Sequence, residues 1–585
     1  MRIVAILRLL AIAAIAVIPT NGFVTDQTTK WGALTSHQRV LSHRVSSLSP
    51  RHLPIGLPLR LGEQRKVRLA ASVAGSETQQ EQDTVKSSKT IGSIRFLIPS
   101  TDADTIKSKF GSASPTGNPS LLEAVQHIAR KLTWWTDDSV ETTIILVPTE
   151  DDNAIFQDLC QTDIVLALGL QSERDIKYAN SLFTARRARE ATEKNRQCQF
   201  AVDCAAELPA TVGPYDTVEP SLQSSILPWT QDASGQRMYQ QMTDLFSRCT
   251  SDDVCYALCI FLNQFSGYSV DWVKHSIDAT WEKGPVRNVK EVVSMVTSCG
   301  DCIKDCVNDP KCREAIGRLT QVDTRDQVAS YRTIVSYESK LLTDFSFCIL
   351  QKNNVFNCDA EIPQLPKVIP VATWRGMPLT EEAGRSILVG HLKDDAAPSS
   401  SRGLDVSWQV AYGANVAYDQ FPSQNQLFYP AARGRDMWYD PVFRVETLDG
   451  RTVWCKRHYK VRPGPVPGTF RLSVLDNGIT SNEFWTIAGV ADDLSWVVFH
   501  YAGAASAVGQ RYLGGLLCTP DGALPLDESQ QETIWNIFSN AGIESWDLYK
   551  VDNYPESPHA IEAGPPPLDF FRKGVLERGA VVRVE

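Results

Sequence analysis

From residue 404 onward the chain alternates apolar and polar side chains with a period of two, the pattern of strands buried on one face. Strands are expected at Val406 to Gly413, Gln424 to Tyr429, Trp438 to Thr447, Thr452 to Val461, Thr469 to Leu475, Asn482 to Ile487, Leu494 to Tyr501 and Tyr512 to Thr519. Turn chemistry separates them at Asp449 and Gly450, Gly464, Gly468, Asn477 and Gly478, and Asp492 and Asp493. Eight such strands in about 115 residues can close an antiparallel barrel wide enough for one small ligand. In the fourth, Val453, Cys455, Arg457 and Tyr459 share the face expected to line the interior, which puts Arg457 inside the barrel as a polar handle or at its mouth. A helix from Glu528 to Asn540, with Ile534 and Ile537 on one face, is expected to pack on the barrel wall.

A different rhythm precedes the barrel. Possible strands at Ser93 to Ile98, Thr142 to Val147 and Asp163 to Leu168 alternate with helices at Leu121 to Leu132 and Ser172 to Arg189, a small α/β layer. It holds neither a G-x-G-x-x-G after a strand nor a G-x-x-x-x-G-K, so nothing points to a nucleotide. Helical sequence carrying most of the cysteines follows, and prolines at 363, 366, 370 and 378 mark a boundary before the barrel.

At 585 residues the chain is too long for one core. Its formal charge of −10 offers no basic surface to a phosphate backbone, which argues against a nucleic-acid partner. Arg2 followed by the apolar run Ile3 to Ile18 reads as a signal peptide, too short for a comfortable membrane span. Residues 23–71, rich in Arg, Lys, Ser, Thr and Pro with only Asp26 and Glu63 as acids, have the composition of a transit peptide. A signal followed by a transit peptide, with Phe23 at the junction, is similar to the targeting of algae with secondary plastids. A disordered secreted tail has the same composition. The expected organisation is a signal peptide at 1–22, a transit-like segment at 23–71, a linker at 73–90 and an α/β then helical domain at 91–290. A cysteine-rich domain at 291–360, a linker at 361–400, the barrel with its helix at 401–555 and a tail at 556–585 complete it.

Twelve of the 14 cysteines lie between Cys160 and Cys358. In a chain that enters the secretory pathway this reads as a disulfide framework, with Cys299, Cys302, Cys306, Cys312, Cys348 and Cys358 as its centre. Zinc at the cluster from Cys299 to Cys312 is the lesser reading because no histidine accompanies it, and no metal is expected. Cys299 and Cys302 also have dithiol-exchange spacing, but no strand pattern places them at the start of a thioredoxin-type helix. Cys255 and Cys259 share a helical face, and each is expected to pair outward to another element.

The chain resembles the violaxanthin de-epoxidase family of plant and algal plastids, and more closely its de-epoxidase-related branch. The resemblance rests on the cysteine spacing above, on Val406 to Trp408 as the opening G-x-W strand of a lipocalin barrel, and on Tyr418 to Gln424, Trp438 to Phe443, Trp454 to Tyr459, Ser481 to Trp485 and Phe499 to Gly503. It covers about residues 290–555, and the segment before it is similar to the extra domain of the related branch. The fold it implies is multidomain, a C-terminal lipocalin-like antiparallel β-barrel preceded by a disulfide-rich helical segment and a small α/β domain.

The activity implied is removal of epoxide oxygen from a xanthophyll with ascorbate as reductant, in a plastid, in or at the thylakoid lumen. Peripheral contact with thylakoid lipid and a homodimer at low pH are implied as well. The family's catalytic acid aligns with Asn482, with Glu483 beside it, and its partner tyrosine with Cys518, so the active site is altered. Pro422, Ser423 and Gln426 replace the second aspartate, the cysteine and the histidine of the family's Phe-Asp-x-Phe-Asp-Cys-Gln region. The residues left to act are Asp419 or Glu483 as proton donor, Gln424 and Tyr501 as orienting donors, Arg457 as an anion handle and Trp408 at the ligand. Binding of a carotenoid or other lipophile without turnover is the alternative, since a barrel needs no acid to bind, and a scaffold role for the preceding domains is a third.

Overall fold

The structure is a computed structural model. It describes residues 92–205, 246, 250–266, 289–392, 406–553 and 582–584, except 102, 105, 109, 111–116, 137–138, 150–151, 194–197, 320–326, 355–359, 415–420, 432–435 and 509. The expected signal peptide, transit-like segment, first linker and most of the tail lie outside the described residues.

Strands β1 (Gly92–Ile98), β2 (Val140–Leu146), β3 (Ile164–Leu168) and β4 (Cys198–Val202) form a parallel sheet in the order β2-β1-β3-β4. Helices α1 (Leu121–Trp135), α2 (Asn153–Gln161) and α3 (Glu173–Glu193) connect them. Every residue of β3 and β4 is buried, as a parallel sheet covered on both faces requires. Ile94, Phe96, Leu166 and Phe200 pack under α1, whereas Leu97, Val165 and Ala167 pack with Leu182 and Phe183 of α3. Helix α1 starts at a capping box in which Ser120 and Glu123 satisfy each other's backbone N–H. The expected elements are present; α2 and β4 were not foreseen. Arg186 of α3 explains β4: its buried guanidinium donates to Gln199 Oε1 at 3.2 Å and to the Cys198 carbonyl at 2.9 Å, so a polar residue sits inside an otherwise apolar strand.

Helix α4 (Ser251–Ser266) packs on α1 with Cys255 and Cys259 in the shared core. The outward pairing expected of these two cysteines is not found. The Cys255 thiol lies 3.7 Å from the Ile128 carbonyl, and burial pushes the Cys259 thiol up to about 12, so both serve as small apolar side chains.

Helices α5 (Val289–Asn308), α6 (Pro310–Leu319), α7 (Gln327–Ser336) and α8 (Lys340–Ser346) follow, the last running into a π-helical turn at Phe347–Lys352. Disulfides join Cys299 to Cys348 and Cys306 to Cys312. A bridge expected at Cys302 is not formed: a kink at Cys299 (φ −128°) turns that residue to Cys348, Cys306 is taken by Cys312, and Cys302 remains a half-buried thiol. Cys358 lies outside the described residues, among which no group of three or more His, Cys, Asp or Glu could hold a metal. Loop length orders the two bridges. With sequence separations of 49 and 6, chain-entropy arguments give about 4 and about 2 kcal/mol. Chemical denaturation of the Cys299→Ser/Cys348→Ser and Cys306→Ser/Cys312→Ser variants should therefore show the larger loss in the first; equal losses would contradict this ordering.

The barrel strands are β5 (Trp408–Gly413), β6 (Asn425–Pro430), β7 (Met437–Glu446), β8 (Thr452–Lys456), β9 (Tyr459–Pro463), β10 (Thr469–Asp476), β11 (Ile479–Val490), β12 (Val497–Ala505) and β13 (Gln510–Thr519). The closed eight-stranded ring runs β5-β6-β7-β9-β10-β11-β12-β13 and back to β5, all antiparallel. The single strand expected from Thr452 to Val461 is two: β8 forms a hairpin arm with the far half of β7, and β9 pairs with its near half. A strand at Val582–Val584 pairs with β8.

Helix α9 (Glu381–Val389) closes one end of the barrel, where the Trp408 indole N–H donates to the Ile387 carbonyl at 2.9 Å. The helical segment covers the other end. There the Thr480 N–H donates to Gln351 Oε1 at 2.7 Å, the Leu448 N–H to Ser336 Oγ at 2.8 Å and the Ser506 hydroxyl to the Ala360 carbonyl at 2.6 Å. Gly478, at φ +82°, lies against the backbone of Thr343 and Phe347 so closely that no Cβ would fit. Helix α10 (Glu528–Asn540) spans the expected residues and packs Ile534 and Phe538 on Trp496 and Val498 of the outer wall. No helix among the described residues is long and apolar enough to cross a membrane.

Candidate active site

Side chains of β11 alternate, and Trp485 and Ile487 belong to the interior core. Glu483 shares their parity, so it points inward, whereas Asn482 faces the opposite way. The Glu483 carboxylate accepts from the Trp485 indole N–H at 2.6 Å, the Tyr512 hydroxyl at 2.7 Å and the Tyr459 hydroxyl at 3.4 Å. It is 5% exposed. Burial raises its pKa above the ordinary carboxylate value, and the three donors oppose but do not cancel that rise.

The register explains how Tyr512 reaches it. Glu483 pairs with Gly503 of β12, which pairs with Tyr512 of β13. A Cβ on Gly503 would overlap the Tyr512 ring, so only glycine lets that ring lie flat across β12 towards the carboxylate. The neighbouring row repeats the device: Trp485 pairs with Tyr501, and Tyr501 lies across Gly514 and stacks on Trp485 with centroids 5.4 Å apart.

Arg457 falls between β8 and β9, its N–H bonded to the Pro441 carbonyl. Its guanidinium is buried at the covered end of the barrel, with Nε 2.7 Å from Asp476 and the ring of Tyr331 from α7 stacked 5.1 Å from Cζ. Burial opposes its charge, but Asp476 and the polar groups around it hold its pKa well above the ordinary value. Gln424 is buried just before β6, where its amide donates to the Phe421 carbonyl at 3.0 Å. Trp408 lies at the far end against α9, and Cys518 is an interior residue on β13. Asp419 lies outside the described residues. Burial, and Lys367 nearby, lower His500 to about 4, so it stays neutral between pH 7 and 5. His458 sits on the outer wall with its Nδ1 2.6 Å from Asp440.

The structure thus brings Glu483 and Tyr501 into one aromatic interior through Trp485. Sequence reasoning did not single out Trp485, Tyr459 and Tyr512 as its donors. The parity shared by Glu483, Trp485 and Ile487 was available as a signal; the reach of Tyr512 across Gly503 was not, because it depends on strand register.

A closed eight-stranded barrel with an apolar interior and a tryptophan anchored at its helix-closed end is a lipocalin-type fold, suited to binding a small apolar ligand. Residues 291–553 match the family described as the VDE lipocalin domain. No curated protein matches the chain. Among solved structures it is similar to apocrustacyanin C2 (15% identity, 33% of this chain and 96% of that chain, TM-score 0.20) and apocrustacyanin C1 (16%, 34% and 96%, 0.20). Lobster apocrustacyanin A1 is similar at 12% identity over 32% of this chain and 92% of that chain, with a TM-score of 0.19.

Proposed function

We propose that the barrel binds an apolar ring epoxide of the xanthophyll type and removes its oxygen, with Glu483 as the proton donor. The observation that carries this reading is a carboxyl group buried among aromatic rings, with its pKa raised by that burial. A protonated carboxyl in such a place can give its proton to an epoxide oxygen as the first C–O bond breaks. Ascorbate, the reductant the resemblance implies, supplies two electrons and two protons in the balance: epoxide and ascorbate become alkene, dehydroascorbate and water. Tyr512, Tyr459 and Trp485 hold the carboxyl in place and Tyr501 orients the ring, whereas Arg457, expected as an anion handle, is buried against Tyr331 and already paired with Asp476. Trp408 is a structural anchor in this reading, and Gln424 shapes the loop before β6. The altered site is what the resemblance implies, with Asn482 at the family's acid, and strand parity supports Glu483 as the acid that replaces it, since it turns Glu483 into the interior. The setting is the plastid of a secondary-plastid alga, at or in an acidified thylakoid compartment, with lipid contact and low-pH dimerisation as accompanying properties.

The alternative is a lipophile carrier, which needs only the apolar interior. One experiment separates them: oxidised protein incubated with a xanthophyll epoxide, ascorbate and galactolipid from pH 4.5 to 7.5, with pigments followed by chromatography. De-epoxidised product that increases towards low pH is the expected result. Tight binding without product at any pH would leave the carrier.

A further inference from the structure

We infer that the α/β layer pairs with a second copy of this chain through the free edge of β2, the two strands running antiparallel about a two-fold axis at Thr143. The inference concerns the α/β layer alone and does not rest on what the barrel does.

Strand β2 ends the sheet and pairs with β1 only. The Val147 N–H donates to the Ile98 carbonyl at 2.9 Å, so in this parallel ladder the residues that share its parity, Glu141, Thr143 and Ile145, bond to β1. The N–H and C=O groups of Thr142, Ile144 and Leu146 therefore face away from the sheet. Among the described residues no hydrogen bond reaches them from outside. Natural edges of this kind are blunted by lysine, proline, a bulge or a covering element. Among the described residues β2 has none of these: its sequence is Val-Glu-Thr-Thr-Ile-Ile-Leu, in unbroken register with β1. Thr143 is exposed, and Leu146 is 51% exposed. The opposite edge strand, β4, is buried along its whole length, so each copy offers one free edge and an isologous pair closes on itself.

The occupant follows from the register. An antiparallel neighbour must set outward-bonding residues opposite one another, and a second β2 does so when the two Thr143 residues meet at the axis. Thr142 then exchanges both backbone bonds with Ile144 of the second copy, and Val140 faces Leu146. Side chains agree on both faces. Ile144 packs on the α1 side of the sheet and Ile145 on the side of α2 and α3. Thr142 thus lies beside Ile144 of the second copy on one face, while Glu141 meets Ile145 and Thr143 meets Thr143 on the other, a favourable cross-strand set. The one charged side chain of the strand, Glu141, is held by Arg95 at 2.8 Å, and its two copies stand four residues apart along the pair, about 13 Å. Acidic residues flank the strand in sequence on both sides, Asp137, Asp138 and Glu150 to Asp152, so salt, which screens their repulsion, should tighten the pair.

Sedimentation equilibrium of the full protein at pH 7.5, away from the acid range in which the resemblance implies a dimer, tests this. A monomer–dimer equilibrium with a Kd of about 10 µM is expected, the weak class to which an interface of one strand pair belongs. Thr142→Pro removes an outward N–H and leaves the ladder to β1 intact, and it should weaken the dimer at least about tenfold. Thr143→Lys and Thr143→Glu should each do the same alone, because like charges then meet at the axis, whereas an equimolar mixture of the two should regain the dimer. That recovery also shows that both variants are folded. A chain that stays monomeric to about 100 µM, a dimer indifferent to these substitutions, or a mixture no better than its components overturns the inference. Capture of an added extended peptide by β2 in place of the second copy overturns it as well.

Discussion

Glu483→Gln is expected to leave the protein folded and to reduce acid-dependent turnover by about 100-fold or more, the range that a positioned general acid supplies. Glutamine has nearly the shape of the protonated carboxyl, and its one amide oxygen can keep the Tyr512 and Tyr459 donors of Oε1 at the loss of the Trp485 hydrogen bond to Oε2, so packing is largely preserved while the acidic proton is lost. The pH profile carries the sign. Because burial raises the Glu483 pKa, the proton-bearing form persists to higher pH than for an exposed carboxylate, and activity should rise as pH falls through that raised value. Stability follows the same direction for this group. Folding favours its neutral form, so its contribution is present at low pH and is lost as pH rises from the unfolded pKa through the folded one. Asn482→Ala, on the opposite face of β11, should change turnover by less than about twofold. Product formation that survives Glu483→Gln unchanged would refute the assignment, and Asp419→Asn would then be the decisive variant.

The barrel was legible in the sequence because antiparallel strands buried on one face write their period directly into side-chain type. Its strands, the break after β8 aside, follow from that period, and the helix at Glu528–Asn540 follows from the helical spacing of Ile534 and Ile537. The break between β8 and β9 was not legible, for a definite reason. Cys455 and Tyr459 keep the same parity on either side of Arg457 and His458, so the alternation runs on although the backbone leaves the ladder. β4 was hidden by Gln199, whose inward amide is explained only by Arg186 arriving from α3. Cys255 and Cys259 show a different limit: whether a buried cysteine is bridged depends on what faces it across the core, which no local pattern contains. In the site, Glu483 could be read from parity with Trp485. Its contact with Tyr512 depends on the registers of β11, β12 and β13, which pair Glu483 with Gly503 and Gly503 with Tyr512, and such registers leave no simple trace in composition.

Asp547→Ala is expected to cost about 1–3 kcal/mol, because it takes the acceptor from the buried Ser251 and His127 donors and leaves the buried Lys131 with Asp252 as its nearest carboxylate. Asp547 lies in the turn after α10, and its carboxylate accepts from Ser251 at the start of α4 at 2.7 Å while lying 2.8 Å from Nε2 of His127 and 3.8 Å from Nζ of Lys131, both on α1. Lys131 is itself buried, 2.7 Å from Asp252. These contacts join the α/β layer to the segment that closes the barrel's outer wall, with Trp546 packed in the same core as α1. Burial alone would raise the Asp547 pKa. Lys131, His127 and the hydrogen bonds outweigh it and hold the carboxyl well below the ordinary carboxylate range. A depressed folded pKa contributes stability that is present above the unfolded value near 3.8 and is lost as pH falls below it. Urea titrations at pH 7 and pH 3 should therefore differ more for the unaltered protein than for Asp547→Asn, which has no carboxyl to titrate. Lys131→Met combined with Asp547→Leu removes both charges and should recover part of the loss, since an apolar pair of similar volume replaces a desolvated ion pair. A single Asp547→Ala variant as stable as the unaltered protein, or a double variant worse than the sum of its parts, would show that this network does not hold the two layers together.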